Sequence, residues 1–410
     1  MSRTVFHGGR VFDGTGAEPA DADVVIEGER IVEIGTGLDG DEDIDASGMT
    51  ILPGFFDCHV HVTTSGVDLL RRLQRPFSYQ FYQAARNLSA TLDCGITTVR
   101  DAGGADLGIQ RVVADGLIDG PRMHIAISIL SQTGGHGDGL LPSGICAPLS
   151  VPHPGRPDGV VDGSENVRRK VREVIRAGAN VIKVCTSGGV LSPGDDPRHA
   201  QFSLAELEVM VAEANAVGLP VMAHAQGTEG IKNAVRAGIR SIEHGIYLDD
   251  QAIEMMVDAG TYLVPTLVAP RAVIDAADAG AQLPETVVRK AKEVVEIHQD
   301  AFSRAVAAGV RIAMGTDSGV GPHGRNLDEL ALMRSGGMNP ARVLAATTSN
   351  AAELLGVADE LGTISPGKRA DLVLVDGDPY DLPAFGENIA AVYQNGRAVR
   401  GDLAVEGGTR

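Results

Sequence analysis

The sequence predicts an α/β protein: a (β/α)8 TIM-type barrel flanked by a small β-sandwich that both chain ends build. Three observations carry that prediction. A polar, alanine-rich helical stretch ends in glycine and runs at once into an apolar segment, and this unit recurs around Gly95, Gly178, Gly218, Gly238, Gly260 and Gly309. Glycine just past a helix takes the left-handed conformation that ends it without steric cost. The apolar segments are near-continuous, as parallel strands buried on both faces should be. Finally, both ends of the chain read as short strands punctuated by Gly, Asp and Asn.

The N-terminal strands lie within residues 4–14, 23–35 and 43–51, and the C-terminal ones within 362–377 and 389–402. Together they suggest a sandwich of residues 1–52 and 362–410, with the barrel spanning 53–361. The first barrel strand is predicted in ILPGFFDCHVHV (residues 51–62) and the second in GITTVRD (95–101). RMHIAISIL (122–130) follows, then VIKVC (181–185) and VMAH (221–224). SIEH (241–244), TYLVPTL (261–267) and VRIAMGTD (310–317) complete a set of eight. Eight alternating units argue for a closed barrel. An open doubly wound sheet is the runner-up, but no GxGxxG follows the first strand.

Composition excludes several functions. With 43% hydrophobic and 22% charged residues the chain is ordinary for a soluble protein. A net charge of −19 argues against a nucleic acid or an anionic membrane as partner, since both require a basic patch. No segment is long and apolar enough to span a bilayer, and the N-terminus lacks a signal-peptide core. Cys58, Cys94, Cys146 and Cys185 are widely spaced, without a CxxC pair. A cytoplasmic protein without disulfides is the expectation.

Polar side chains where the strands should end carry the chemical signal. His59 and His61 close the first strand, separated by one valine. On a strand, alternate side chains point the same way, so the two imidazoles would face one side like a metal site. Lys183 lies in the fourth strand, His224 ends the fifth, His244 the sixth and Asp317 the eighth. Each alone has a plainer reading: a hydrogen-bonded histidine, a lysine reaching to solvent, an aspartate capping a helix. Together they occupy the end of the barrel where active sites lie.

This set of His-x-His, Lys, His, His and Asp on strands 1, 4, 5, 6 and 8 resembles the amidohydrolase superfamily. The resemblance extends over VFDGTG, LPGFFDCHVH, GITTVRDAGG and ISPGKRADLVLVD. SIEHG and TSGGVLSP are similar to the branch of Xaa-Pro dipeptidases and metallocarboxypeptidases, near the imidazolonepropionase-like proteins. It implies a distorted barrel and two divalent metal ions, zinc first, with manganese or cobalt also suited. His59, His61 and Asp317 would hold one ion and His224 and His244 the other. Lys183 would bridge them as a carbamate formed with CO2, since an ammonium cannot ligate a metal. The implied reaction is hydrolysis of an amide by a metal-bridging hydroxide, with Asp317 carrying the proton to the leaving nitrogen. The implied substrate is a dipeptide, Xaa-Pro or similar, or an N-acyl amino acid. The resemblance also implies a homo-oligomer acting on a small molecule.

Further residues are candidates for holding the substrate. His136, in SQTGGHGDG, sits where the related peptidases present a histidine to substrate. Tyr247, just beyond His244, would hydrogen-bond a carboxylate or the oxyanion. Arg198 and His323 lie on loops of the same face, and one of them would bind an α-carboxylate, for which arginine's fork is best shaped. Arg100 and Asp101 are expected to pair at the barrel mouth. RRLQRP (71–76) reads as a helix surface, and Thr348 or Ser349 as a helix cap.

Other functions remain open at the level of sequence. A urea, carbamate or other non-peptide amide would suit the same ligands. A mononuclear deaminase or imidazolonepropionase-like enzyme would lack the lysine at strand 4, so Lys183 speaks against it. A barrel that had lost catalysis would lack ligands, and none of the set is missing.

Overall fold

The computed structural model describes residues 2–141, 143–401, 403 and 405–406. The predicted strands form in their predicted order. Phe55–Val60, Ile96–Asp101 and Arg122–Ile125 make a three-stranded parallel sheet. Ile182–Cys185, Val221–Ala225, Ser241–His244, Tyr262–Val264 and Arg311–Ile312 run side by side in a six-stranded parallel sheet. Its other edge is Ile129–Leu130. Backbone bonds link the two sheets at both margins. At one, Cys58 N donates to Met314 O at 2.9 Å and Asp317 N to His59 O at 2.7 Å. At the other, Asn180 N donates to Ile125 O at 2.8 Å.

The third predicted strand is not continuous. It breaks at Ile127, whose φ of 66° is left-handed and costly for a β-branched residue. The Ser128 hydroxyl donates to Pro157 O at 2.5 Å, so the break is held by a local bond that apolar patterning does not reveal.

The helices between strands follow their local signals. Leu204–Asn215 starts from a capping box, Ser203 with Glu206. Asp250–Ala259 and Glu285–Ala308 end on Gly260 and Gly309 at φ 65° and 85°, so those glycines do turn the chain into the next strand. Inside, Val184, Ala223, Ile242 and Leu263 are buried in one large apolar cluster with the flanking helices.

The chain ends interleave. A five-stranded sheet contains Arg3–His7, Asp23–Glu27, Arg30–Gly35 and Glu42–Asp45, with Val405–Glu406 at its edge. A six-stranded sheet joins Met49–Pro53 antiparallel to Leu372–Asp376, with Pro53 opposite Leu372. A separate apolar cluster spans both sheets, including Phe6 packed edge-on against Tyr393 at 4.9 Å. Gly54 alone separates Met49–Pro53 from Phe55–Val60. A Cβ there would collide with Thr97 and Asp371, so only glycine admits the close approach. Among the described residues no helix is long and apolar enough to cross a membrane.

Candidate active site

The strand ends converge on a cavity of about 450 Å³ lined by His59, His61, Lys183, His224, His244 and Asp317. His59 and His61 stand 5.4 Å apart between ring centroids, His59 and His244 5.1 Å, and His224 and His244 4.7 Å. Asp317 Oδ1 lies 3.2 Å from His61 Nε2 and 3.5 Å from His59 Nε2. Lys183 Nζ is 3.5 Å from His59 Nε2. One ligand atom each from His59, His244 and Asp317 falls within a 4.8 Å span.

Two of these residues arrive by way of unusual backbone. Adjacent residues on a strand face opposite sides, yet Glu243 and His244 both reach the His59 neighbourhood. His244, closing its strand, has φ 73°, and Asp317, in the segment that follows Arg311–Ile312, has φ 59°; these left-handed values re-aim both side chains. Such strained positions gather at functional sites.

Each imidazole has one nitrogen fixed from outside. His59 Nδ1 donates to Glu243 Oε2 at 2.8 Å and His61 Nδ1 to Gly103 O at 2.7 Å. His244 Nδ1 shares a 2.7 Å bond with the Thr266 hydroxyl, and His224 Nε2 donates to Gly188 O at 3.0 Å. This leaves Nε2 of His59 and Nδ1 of His224 as lone pairs, while His61 Nε2 lies 3.2 Å from Asp317 Oδ1. Burial, helped by neighbouring cationic groups, holds His59, His224 and His244 well below the ordinary imidazole range, so they are neutral. At His61 burial is outweighed by Asp317, and its pKa rises; Asp317 is lowered in turn, its burial overcome by His59 and His61. Burial also lowers Lys183. Four histidines, a carboxylate and a buried amine whose pKa is lowered form a donor set that fits divalent metal.

The support that Arg100 and Glu243 give the site escaped the sequence reading. Arg100 donates to Glu243 Oε1 at 2.9 Å, to the Ser241 hydroxyl at 3.1 Å and to Cys58 O at 2.7 Å. Arg100 therefore does not pair with Asp101, because neighbours on a strand diverge; Asp101 instead accepts from the backbone of Val62, Gly103 and Ala105. Gln226 lines the cavity with its buried Oε1 unpartnered. Only its place two residues after His224 in the sequence hinted at it.

The proposed substrate contacts part ways. His136 lies in the cavity, stacked on His224 with centroids 4.1 Å apart. Its Nδ1 bonds the Ser192 hydroxyl at 2.7 Å, which leaves Nε2 free. Arg198 is exposed and forks onto Asp196, two residues away, at 2.6 and 2.9 Å. His323 is occupied at both nitrogens, by Thr64 O at 3.1 Å and the Thr91 hydroxyl at 3.4 Å. Tyr247 is half-buried against an apolar cluster around Val273 and Val294. None of Arg198, His323 and Tyr247 is part of the cavity wall. Arg72, within the run read as a helix surface, is part of it. Thr348 precedes the helix Ser349–Leu355 but makes no side-chain cap; its hydroxyl donates to Leu344 O at 2.7 Å.

The sequence profile of the amidohydrolase family matches residues 50–399. The chain belongs to the amidohydrolase family. This amidohydrolase is 34% identical to ochratoxinase of Aspergillus niger, across 97% of the chain and 87% of that relative. It is 29% identical to the imidazolonepropionase of Rhizorhabdus wittichii, across 83% of the chain and 82% of the relative. A crystal structure of a Xaa-Pro dipeptidase with bound methionine superposes with a TM-score of 0.88 at 34% identity, covering 97% of this chain and 99% of that one. The amidohydrolase is thus a hydrolase of carbon–nitrogen bonds with a TIM-barrel type of α/β fold. Its family is generally metal-dependent and acts on small molecules.

Proposed function

We propose that this amidohydrolase is a binuclear metal enzyme that cleaves the amide bond of a dipeptide, Xaa-Pro or similar, or of an N-acyl amino acid. The observation that carries the reading is the meeting of His59, His61, His224 and His244 around Lys183 and Asp317 in one cavity. In this reading the two parallel sheets are arcs of one distorted (β/α)8 barrel spanning residues 53–361, and residues 1–52 and 362–410 form the sandwich domain. The buried free cysteines Cys58, Cys94 and Cys185 suit a cytoplasmic location.

His59, His61 and Asp317 would hold one ion, His224 and His244 the other, with Lys183 shared. The ions, zinc by preference, would polarise the scissile carbonyl and make water a better nucleophile. Lys183 takes its part as a carbamate: the neutral amine adds to CO2, forming the N–C bond and releasing a proton. Burial lowers the Lys183 pKa, which favours the neutral amine. Asp317 accepts a proton from water at a carboxylate oxygen and returns it to the leaving nitrogen. His136 Nε2, unprotonated while Nδ1–H serves Ser192, accepts a hydrogen bond from the substrate.

The apolar wall favours larger members of this substrate class. Leu141, Val190, Leu191, Ile246 and Val273 line the cavity. A volume of about 450 Å³ suits a drug-sized ligand and exceeds the needs of a small dipeptide. A bulky N-acyl amino acid is therefore favoured.

A hydrolysis screen of the zinc-loaded protein tests the proposal. The panel holds dipeptides varied at the C-terminal residue, N-acyl amino acids, ochratoxin, aryl ureas and carbamates. Release of an amino acid supports the reading. Turnover confined to ureas or carbamates replaces the substrate class, and one tight metal per chain replaces the binuclear site.

A further inference from the structure

A second cavity, also about 450 Å³, adjoins the first. Thr64, Val67, Arg72, Leu149 and Ser150 line both. The annex contains Arg71, Arg72 and Arg75 against one carboxylate, Asp68. That balance runs opposite to the chain as a whole, with its net charge of −19.

The three arginines are poorly neutralised by the protein. Arg72 donates to Leu149 O at 3.1 Å and Pro148 O at 3.2 Å, both uncharged acceptors. Burial alone lowers its pKa, with no carboxylate acting against it. A guanidinium does not lose its proton in a protein, so Arg72 is a partly buried cation with no ion-pair partner among the described residues. Such a charge is costly unless something pairs with it. Arg75 donates to Gln83 at 2.6 Å and stacks over the Tyr79 ring at 4.5 Å. The Arg71 side chain bonds nothing among the described residues. Phe77 and Tyr79 give the annex apolar walls beside the cations.

We infer that this annex is a binding subsite for a carboxylate carried on an apolar arm of the substrate, with Arg72 as its main partner at the junction of the two cavities. The guanidinium fork matches a carboxylate in geometry as well as charge. Phe77 and Tyr79 would receive the carbon arm. The inference rests on the proposed amide hydrolysis for its role in turnover, and its binding part stands apart from it.

The test separates the two. 3-Phenylpropionate and its uncharged isostere 3-phenylpropionamide are titrated calorimetrically into chelator-treated protein, at low and high salt. The carboxylate should bind about tenfold or more tighter than the amide, and the gap should shrink with salt. Arg72→Gln should abolish the gap. Arg71→Gln breaks no side-chain bond among the described residues, and it should narrow the gap about threefold. Equal binding of the two probes by the native protein overturns the inference, as does a gap that survives in both variants. In the metal-loaded enzyme, Arg72→Gln should lower the ratio of kcat/KM for carboxylate-bearing over carboxamide-bearing amides. Failure of every amide to turn over, with the binding gap intact, would refute the proposed reaction and leave the subsite standing.

Discussion

His59 and Glu243 are joined by a 2.8 Å bond from Nδ1 to Oε2, while the other oxygen of Glu243 is held by Arg100 at 2.9 Å. The carboxylate fixes the imidazole's tautomer and turns Nε2 toward Lys183 and Asp317. The guanidinium pairs with that carboxylate in a fully buried position. Metal-binding histidines depend on such partners for orientation and basicity.

Replacing Glu243 by Gln should therefore weaken the metal site before it changes the chemistry. Metal affinity is expected to fall about 10- to 100-fold. Competition with a chelator, read by metal analysis, checks it. Wild-type metal retention would show that the bond does not tune His59.

Asp317→Asn preserves shape and removes the proton acceptor. Turnover should fall by about 10²- to 10⁴-fold while the circular dichroism spectrum is retained. Near-normal kcat at full metal occupancy would exclude Asp317 as the proton carrier.

Lys183 gives a prediction that does not depend on knowing the substrate. Protein supplied with ¹³C-labelled bicarbonate should show one added carbon in its NMR spectrum, absent from Lys183→Met. The same variant should lose its second metal. An unlabelled wild-type protein carrying two ions would rule the carbamate out.

Lys290, on the helix Glu285–Ala308, donates to the carbonyls of Gly189, Ser192 and Asp195 at 3.0, 2.8 and 2.5 Å. It pins the loop that carries Ser192, and Ser192 orients His136. Lys290→Met should expose residues 189–196 to protease and raise KM about tenfold. Unaltered KM with faster cleavage would confine Lys290 to a structural role.

Glu329 supplies a pH dependence. It is fully buried and accepts from Leu267 N and Val268 N at 2.8 and 2.9 Å. Burial outweighs those donors and raises its pKa from 4.5 to about 8. Between those values the folded protein keeps a proton that the unfolded chain has released. Stability should then fall as pH rises through the window. Glu329→Gln cannot titrate, so its Tm should fall less than that of the native protein between about pH 5 and about pH 8. Equal falls in the two proteins would contradict the raised pKa.

The strand-end residues were legible because they depend on local rules. A two-residue period, glycine after each helix and a polar side chain closing an apolar run place His59, Lys183 and His224 without knowledge of the rest. What the sequence concealed depends on tertiary contact. Arg198 looked available for a carboxylate, but Asp196 takes up its fork. His323 looked like a surface ligand, but Thr64 and Thr91 hold it. Glu243 looked like an ordinary strand residue, and only the left-handed turn at His244 lets both serve one site. Arg72 was hidden in a basic run because pattern cannot say which arginine faces inward.

The antiparallel pairing of Met49–Pro53 with Leu372–Asp376 bears on how the molecule is made. The strand bearing His59 leaves the ribosome long before the partner of the strand that leads into it, which emerges only after both parallel sheets have been synthesised. Loop closure over such a separation is slow. The histidine pair should wait, with its supporting strand one edge short, until translation has passed Asp376. A nascent chain halted before Leu372 would leave that edge without its hydrogen-bonding partner, a template for pairing with another chain.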